Sequence, residues 1–392
     1  MSKKSRSKIW FLVHSWLALP IWFFVLIVCF TGMLAVVSQE IVWLANPDVR
    51  ASAPNDEAER LSYQQVLDAL KQAEPDLAVR YINQPDGSHF ALNVGVTYPD
   101  GTAPNLYVNP YTGAIQGKTP DFNFEAFTRA LHGWWLVPFT NGYSWGWYLV
   151  SLLGLPLLAS LVTGLVVYKK FWRGFFKAPR LAHGSRIFWG DVHRLAGVWS
   201  IWFIAVIAVT GTWFLIQATL ADNHITISSE PIVPVISREQ VPPTADGSPA
   251  QRLNLDEAVR IAQGNIPGLD ISYITLPATA YSHISLMGRG WYPLMYQTAA
   301  VNPYTHKVDS QFLLGDRSGL EFFAESMRPL HTGDFGGLPI KLIWFFFGLV
   351  LTLMVFSGLL IWTKRTAQAT AAALKRSERP ARSSNAIVEA QP

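Results

Sequence analysis

Charge is what this chain of 392 residues has least of. Asp, Glu, Lys and Arg make up 15% of it, against roughly 25% in an ordinary soluble domain. The deficit is concentrated: none of the four occurs in 9–39, 130–168, 195–221 or 342–363. Each gap is long enough for the ~20 apolar residues that cross a bilayer. The sequence therefore predicts four transmembrane helices, near 10–37, 145–168, 196–219 and 341–363. Cysteine is scarcer still. Cys29 stands alone, which excludes an intramolecular disulfide, a thiolate iron–sulfur centre and a four-Cys zinc site. No glycine-rich loop follows a strand-like run, so nothing argues for a built-in nucleotide or flavin domain. The predicted spans hold no Asp or Glu, the residues a proton- or ion-coupled transport path would use.

The charges that remain are sorted by side. Residues 1–9, 169–194 and 364–392 hold 17 of the 31 Lys and Arg but 3 of the 27 acids. Basic loops stay in the cytoplasm, so both termini are expected inside and two acid-rich segments, near 40–130 and 222–330, outside. The net charge of +4 is then a topology signal and gives no reason to invoke nucleic acid. Lys3, Lys4, Arg6 and Lys8 could open a signal peptide, but the apolar run that follows exceeds a signal's ~7–15 residues and no small-x-small site closes it. It reads as a retained helix. The expected organisation is a first helix with its cytoplasmic N-terminus (1–39), an outer module (40–130), an interfacial segment with the second helix (131–168) and a cytoplasmic loop (169–194). A third helix (195–221), a second outer module (222–330), an interfacial segment with the fourth helix (331–365) and a cytoplasmic tail (366–392) complete it.

What is present is present twice. Trp10-x-x-Val13-His14 lies 17 residues before Thr31-Gly32, and Trp189-x-x-Val192-His193 lies 17 before Thr210-Gly211. Arg129-Ala-Leu-His132 precedes the second span and Arg328-Pro-Leu-His331 the fourth. Val108-Asn-Pro-Tyr-Thr-Gly113 matches Val301-Asn-Pro-Tyr-Thr-His306. Both copies start inside, so the repeat is parallel, with a pseudo-twofold axis along the membrane normal. In each outer segment a helical pattern (Leu61, Val66, Leu67 and Leu70; Leu255, Val259 and Ile261) follows a capping residue, Ser62 or Asn254. Strand-like runs come next: 79–83, 90–96 and 106–108, then 271–276, 283–287 and 296–301. Each outer segment is thus expected to be a small α+β module. Stretches 45–60 and 229–250 read as linkers, and the tail from 367 as disordered after its first turns.

Four histidines therefore lie in two matched layers: His14 with His193 near the inner ends of helices 1 and 3, His132 with His331 before helices 2 and 4. Two neutral imidazoles at one depth, facing each other, supply both axial positions of a haem iron; with no open position such a haem only passes electrons. The plainer alternative is an interfacial histidine among lipid headgroups. Each outer histidine is expected to end a short interfacial helix starting near Glu125 or Glu321. Arg129 and Arg328, one turn earlier, are candidate anchors for haem propionates, as are Arg194 and Lys8 on the inner side; headgroup contact is the competing role. A small pair stands in every helix (Thr31-Gly32, Thr163-Gly164, Thr210-Gly211, Ser357-Gly358) and reads first as close helix packing, with room for a porphyrin as the alternative. Trp134, Trp135, Trp145 and Trp147 fit an aromatic belt. His89, His183, His224, His283 and His306 have no matching partner and read as ordinary structural or surface residues.

The paired helices, outer modules and these His and Asn-Pro-Tyr-Thr positions resemble the PepSY-associated transmembrane family, across roughly 5–365. The resemblance implies four helices, two b-type haems and, as in inner-membrane siderophore reductases of the FoxB type, reduction of ferric siderophores at the periplasmic face of a bacterial inner membrane. The expected partners are a ferric siderophore, membrane lipid, and an electron donor that is cytoplasmic or a quinol. Two other readings stay open: a haem protein serving quinol or another electron carrier, and a transport or binding module without redox work.

Overall fold

The structure, a computed structural model, describes residues 3–17, 19–140, 142–227, 231–242 and 253–377. Expectations that fall on Asn141, on 229–230 and 243–250 of the second linker, on the tail beyond Ser377 and on the side chain of Lys8 lie outside the described residues. Three helical stretches are long and apolar enough to cross a membrane: Trp145–Val167, Ile201–Asp222 and Gly337–Ala371. The first expected span is instead a bent pair, α1 (Lys3–Leu17) and α2 (Trp22–Val36), turned by 64° across a 3-10 turn at Leu19–Ile21. Pro20 sits in that turn. Its missing N–H and fixed φ interrupt the helical ladder, so the single helix expected over 10–37 is broken there. A short helix α3 (Ser38–Ala45) follows α2.

The remaining helices are α4 (Tyr63–Ala73), α5 (Phe124–Trp134), α6 (Trp145–Leu152), α7 (Gly154–Val167), α8 (Ser185–Trp199), α9 (Ile201–Asp222), α10 (Leu255–Asn265), α11 (Gly319–Thr332) and α12 (Gly337–Ser377). Helix three thus begins earlier than the loop expected over 169–194 allowed, and His193 is helical. Helices α5 and α11 are the two interfacial helices expected before spans two and four. Each starts on a side-chain cap: Asn123 accepts from the Ala126 amide, and Ser318 forms a capping box with Glu321. At the start of α7, Gly154 meets α9 closely; a Cβ there would stand 2.7 Å from the Thr212 backbone nitrogen. That is the small-residue approach typical of helices in lipid.

The chain divides into two compact units: Met1–Cys29, Pro156–Ala205 and Leu349–Pro392 form one, Phe30–Leu155 and Val206–Gly348 the other. The second unit contains an antiparallel sheet of eight strands: β1 (Ala78–Asn83), β2 (Leu92–Thr97), β3 (Asn105–Val108), β4 (Ile115–Lys118), β5 (Asp270–Thr275), β6 (Ile284–Arg289), β7 (Tyr296–Val301) and β8 (Val308–Phe312). Their order is β4-β3-β2-β1-β5-β6-β7-β8. The two sheets expected from the sequence meet edge to edge, Ile82 opposite Ile274, and become one. Joining covers the two strand edges that would otherwise expose unpaired amides. One face packs on α4 and α10, burying Ile82, Val94, Val108, Ile274, Leu286 and Val301 between sheet and helices.

Both Asn-Pro-Tyr-Thr segments are the same turn. Asn109 Oδ1 accepts from the Tyr111 amide at 2.8 Å, and Asn302 Oδ1 from the Tyr304 amide at 3.0 Å. Each turn closes on a left-handed residue, Gly113 (φ 71°) or His306 (φ 56°). His306 is therefore a turn residue. His283 is buried, its Nε2 2.8 Å from Asp309 Oδ2, while Asn302 donates to the same carboxylate oxygen.

Helices α4 and α10 cap each other. Asp256 accepts from the Ser62 hydroxyl (2.6 Å) and the Gln64 amide (3.1 Å), while Gln64 Oε1 accepts from the Leu255 amide (2.9 Å). A carboxylate at a helix N-terminus also meets the positive end of the helix dipole. Replacing Asp256 with alanine removes two bonds from α4 at once. The expected loss is about 1–2 kcal/mol of stability, read as a lower thermal transition of the purified protein with its helix content otherwise unchanged.

Candidate functional site

The four matched histidines come together as two pairs, each within one compact unit. His14 of α1 faces His193 of α8, ring centroids 6.3 Å apart and planes at 71°. His132 of α5 faces His331 of α11, centroids 6.0 Å apart and planes at 32°. An imidazole nitrogen lies ~1.1 Å from its ring centre and binds a metal at ~2.0 Å, so two imidazoles sharing one metal from opposite sides hold their centroids roughly 6.2 Å apart. Both pairs have that spacing.

Hydrogen bonding decides which nitrogen each ring offers. His193 Nδ1 lies 2.9 Å from the Met354 carbonyl oxygen. A carbonyl only accepts, so Nδ1 carries the proton and Nε2 the lone pair. Thr163 Oγ1 spends its proton on the Ala159 carbonyl at 2.8 Å, so it accepts from His14 Nδ1 at 3.0 Å. Thr210 Oγ1 likewise donates to Val206 at 2.7 Å and accepts from His331 Nδ1 at 2.8 Å. Three rings are thus held as the Nδ1–H tautomer with Nε2 free to ligate. An N–H bound to a fixed acceptor is the usual outer shell of a metal-ligating histidine.

The small pairs are the seats of these rings. Thr163-Gly164 receives His14, and Ser357-Gly358 receives His193, whose Nδ1 is also 3.2 Å from the Ser357 hydroxyl. Thr210 receives His331, while its neighbour Gly211 faces the Gly154 backbone instead of the ring. Gly32 receives His132 so closely that a Cβ there would stand 2.6 Å from His132 Cε1 and 2.9 Å from Nδ1. Corresponding distances from Gly358 to His193 and from Gly164 to His14 are 3.3 and 3.4 Å. Sequence reasoning weighed these pairs as packing or porphyrin clearance and missed the hydroxyl's role. The signal was available: four histidines, and four hydroxyl–glycine pairs, one in each helix.

The arginines stand differently. Arg194 donates to Asp191 (3.2 Å) and to the Lys177 carbonyl (3.2 Å), leaving its buried Nε without a partner. Asp191 is buried, and hydrogen bonds from Arg180, with Arg194 nearby, hold its carboxyl down at about 2. Those contacts use two of its five N–H groups, and the buried Nε is among those left for a propionate. Arg129 pairs with Glu125 at 3.0 Å with its side chain 54% exposed, and Arg328 is exposed on α11. The outer pair is flanked by rings: Phe214 lies edge-on to His331 at 5.1 Å, Trp147 contacts Phe214 at 6.0 Å, and Trp134 stacks on Trp147 at 6.3 Å. Among the described residues no group of three or more His, Cys, Asp or Glu gathers as a metal site.

Apolar membrane-length helices that hold two facing imidazole pairs, with an antiparallel sheet appended, define a membrane protein with two candidate bis-histidine sites. Residues 11–365 match the PepSY-associated TM region, and the chain belongs to that family. It is similar to the uncharacterized protein PA4219 of Pseudomonas aeruginosa, 26% identical over 249 residues, or 60% of this chain. The match spans 63% of that relative's length.

Proposed function

We propose that the chain is a di-haem transmembrane reductase of ferric siderophores. In this reading the bent α1–α2 pair is one crossing and the chain crosses a bacterial inner membrane four times as two parallel, pseudo-symmetric repeats. Both termini are cytoplasmic, and the sheet is periplasmic. His14 and His193 would hold one b-type haem, His132 and His331 the second. A haem held by such a pair would supply one-electron exchange. The chain's own contribution is to bring four imidazoles together in two facing pairs and to hold three of them as the Nδ1–H tautomer, leaving Nε2 to ligate. One electron delivered to a ferric chelate releases the metal, because oxygen-rich chelators hold ferrous iron far less tightly. The donor lies outside this chain, on the cytoplasmic side or in the quinol pool.

The two facing imidazole pairs, with three of the four rings held as one tautomer, are the observation that carries this reading. It is tested by a reduced-minus-oxidised spectrum of the purified protein with haem quantified, followed by reoxidation with a ferric chelate. Low-spin b haem at about two per chain and chelate-driven reoxidation are expected; a colourless, folded protein produced with ample haem sinks the proposal.

The seats give a second check. Thr163→Val and Thr210→Val each remove one Nδ1 acceptor and keep the shape. Loss of an outer-shell partner costs ~10–100-fold in affinity or activity. Each variant is expected to weaken haem retention and shift the midpoint potential at its own site, leaving the other unchanged.

A further inference from the structure

The two faces of the sheet differ. Opposite the apolar face covered by α4 and α10, Asn93, Asn83 and Tyr273 form one cross-strand row and Tyr81, Thr275 and Ser285 the next. These six are half-buried or exposed, and none of the paired positions that extend either row bears a charge. Where β1 meets β5, Tyr81 and Tyr273 stack with centroids 5.0 Å apart and planes at 23°. The Tyr81 ring lies flat across Gly95, where a Cβ would come within 2.3 Å of it, and its hydroxyl donates to Asn105 Oδ1 at 2.7 Å. The stack is thereby fixed in place; amides and hydroxyls neighbour it, and the Arg80 guanidinium lies over the Tyr81 ring, 5.5 Å from its centroid.

Both margins of this face are tied to segments that hold the outer histidines. At one margin Tyr107, opposite Asn93, packs against Val42 and Trp43 of α3. Helix α3 continues from α2, which carries Gly32 against His132. At the other margin Arg289, on the same face as Ser285, donates to the carbonyl oxygen (2.8 Å) and Oδ2 (3.0 Å) of Asp334, three residues beyond His331. Two buried polar atoms on this face have no protein partner: Asn93 Oδ1, an acceptor, and Arg289 Nε, a donor. Buried polar groups are rarely left unpaired, so both call for a polar guest.

We infer that this face is where the ferric chelate docks, at the Tyr81–Tyr273 stack and beside the segments that seat His132 and His331. The inference rests on the reductase reading. Tyrosine faces stack on flat conjugated groups and cover apolar linkers, and asparagine and hydroxyl side chains bond amide-like groups. Asp334 pairs with Arg289 at one margin, while Arg80, bonded to the carbonyl oxygens of Val96 and Ala103, brings a positive charge to the stack.

Gallium(III) chelates test the site apart from electron transfer, because gallium(III) is not reduced under these conditions. The haem-loaded, detergent-purified full chain is titrated calorimetrically with a neutral gallium trihydroxamate, which is expected to bind. Tyr273→Ala is expected to weaken it about tenfold while Tyr273→Phe stays within about twofold of wild type, with haem spectra unchanged in both. Should Tyr273→Ala fail to fold, Ser285→Trp, which fills the face without removing the stack, is expected to give the same loss. Equal affinity in wild type and these variants overturns the site, and the reductase reading then stands or falls on ferric-chelate reoxidation of the wild-type protein. Failure of the wild type both to bind gallium chelates and to be reoxidised by their ferric counterparts overturns both readings.

Discussion

His331→Ala is expected to remove one haem of two and to abolish chelate-driven reoxidation. On the di-haem reading this imidazole would be one of two iron ligands, and His132 left alone would hold the iron far less tightly. The loss of reoxidation is expected to exceed the ~10–100-fold typical of an outer-shell change. The fold should survive the substitution. Thr210 still donates to the Val206 carbonyl at 2.7 Å, so no buried donor is orphaned, and orphaned groups are what make such changes costly. His193→Ala behaves likewise at its own site, since the Met354 carbonyl keeps the Ser357 hydroxyl as a donor at 2.8 Å. The four alanine variants should therefore fall into two spectral classes, His14 with His193 and His132 with His331. The measurement is the reduced-minus-oxidised spectrum with haem per chain. Four variants that all keep both signals would contradict the assignment of ligands.

Much of this site was legible before the structure because membrane burial writes itself into sequence as missing charge, and because the chain repeats its histidine spacing. The pairing of His14 with His193, and of His132 with His331, follows from equivalence between copies. The break in the first span was equally legible: Pro20 removes an amide in the middle of an apolar run, but hydropathy alone does not register it. The fusion of the two sheets was not legible. The β1–β5 contact joins Ile82 to Ile274, and an edge-to-edge pairing so distant in sequence leaves no local pattern. Strands β4 and β8 escaped as well. Ile115–Lys118 and Val308–Phe312 are short outer strands, half-exposed, with little of the apolar alternation that marks a strand. The hydroxyl seats were hidden for a different reason. Thr or Ser beside Gly in a membrane helix serves backbone approach and side-chain hydrogen bonding equally, and only the positions of the rings tell the two apart.

That ambiguity can be resolved by a graded series of alanines. Real Cβ atoms essentially never approach another group within 3.0 Å, and Gly32→Ala would put one 2.6 Å from His132 Cε1. The ring would have to retreat by ~0.4 Å, about twice the ~0.2 Å within which metal–ligand distances hold. Gly32→Ala is therefore expected to broaden or remove the spectrum of the outer-pair haem and to lower its content by half or more. Gly358→Ala, at 3.3 Å from His193, should shift the inner-pair spectrum slightly, and Gly164→Ala, at 3.4 Å from His14, should leave it unchanged. The last two also gain ~0.5–1 kcal/mol of helix propensity, so their thermal transitions should hold or rise. A helix-packing role predicts another order. Gly154 abuts the Thr212 backbone at 2.7 Å, close to Gly32's 2.6 Å. If packing alone governed, Gly154→Ala and Gly32→Ala would be alike, both losing stability with spectra intact. If the glycines exist to seat rings, Gly154→Ala loses stability alone, and the spectral change ranks Gly32, Gly358, Gly164, in the order of the distances from each missing Cβ to its histidine.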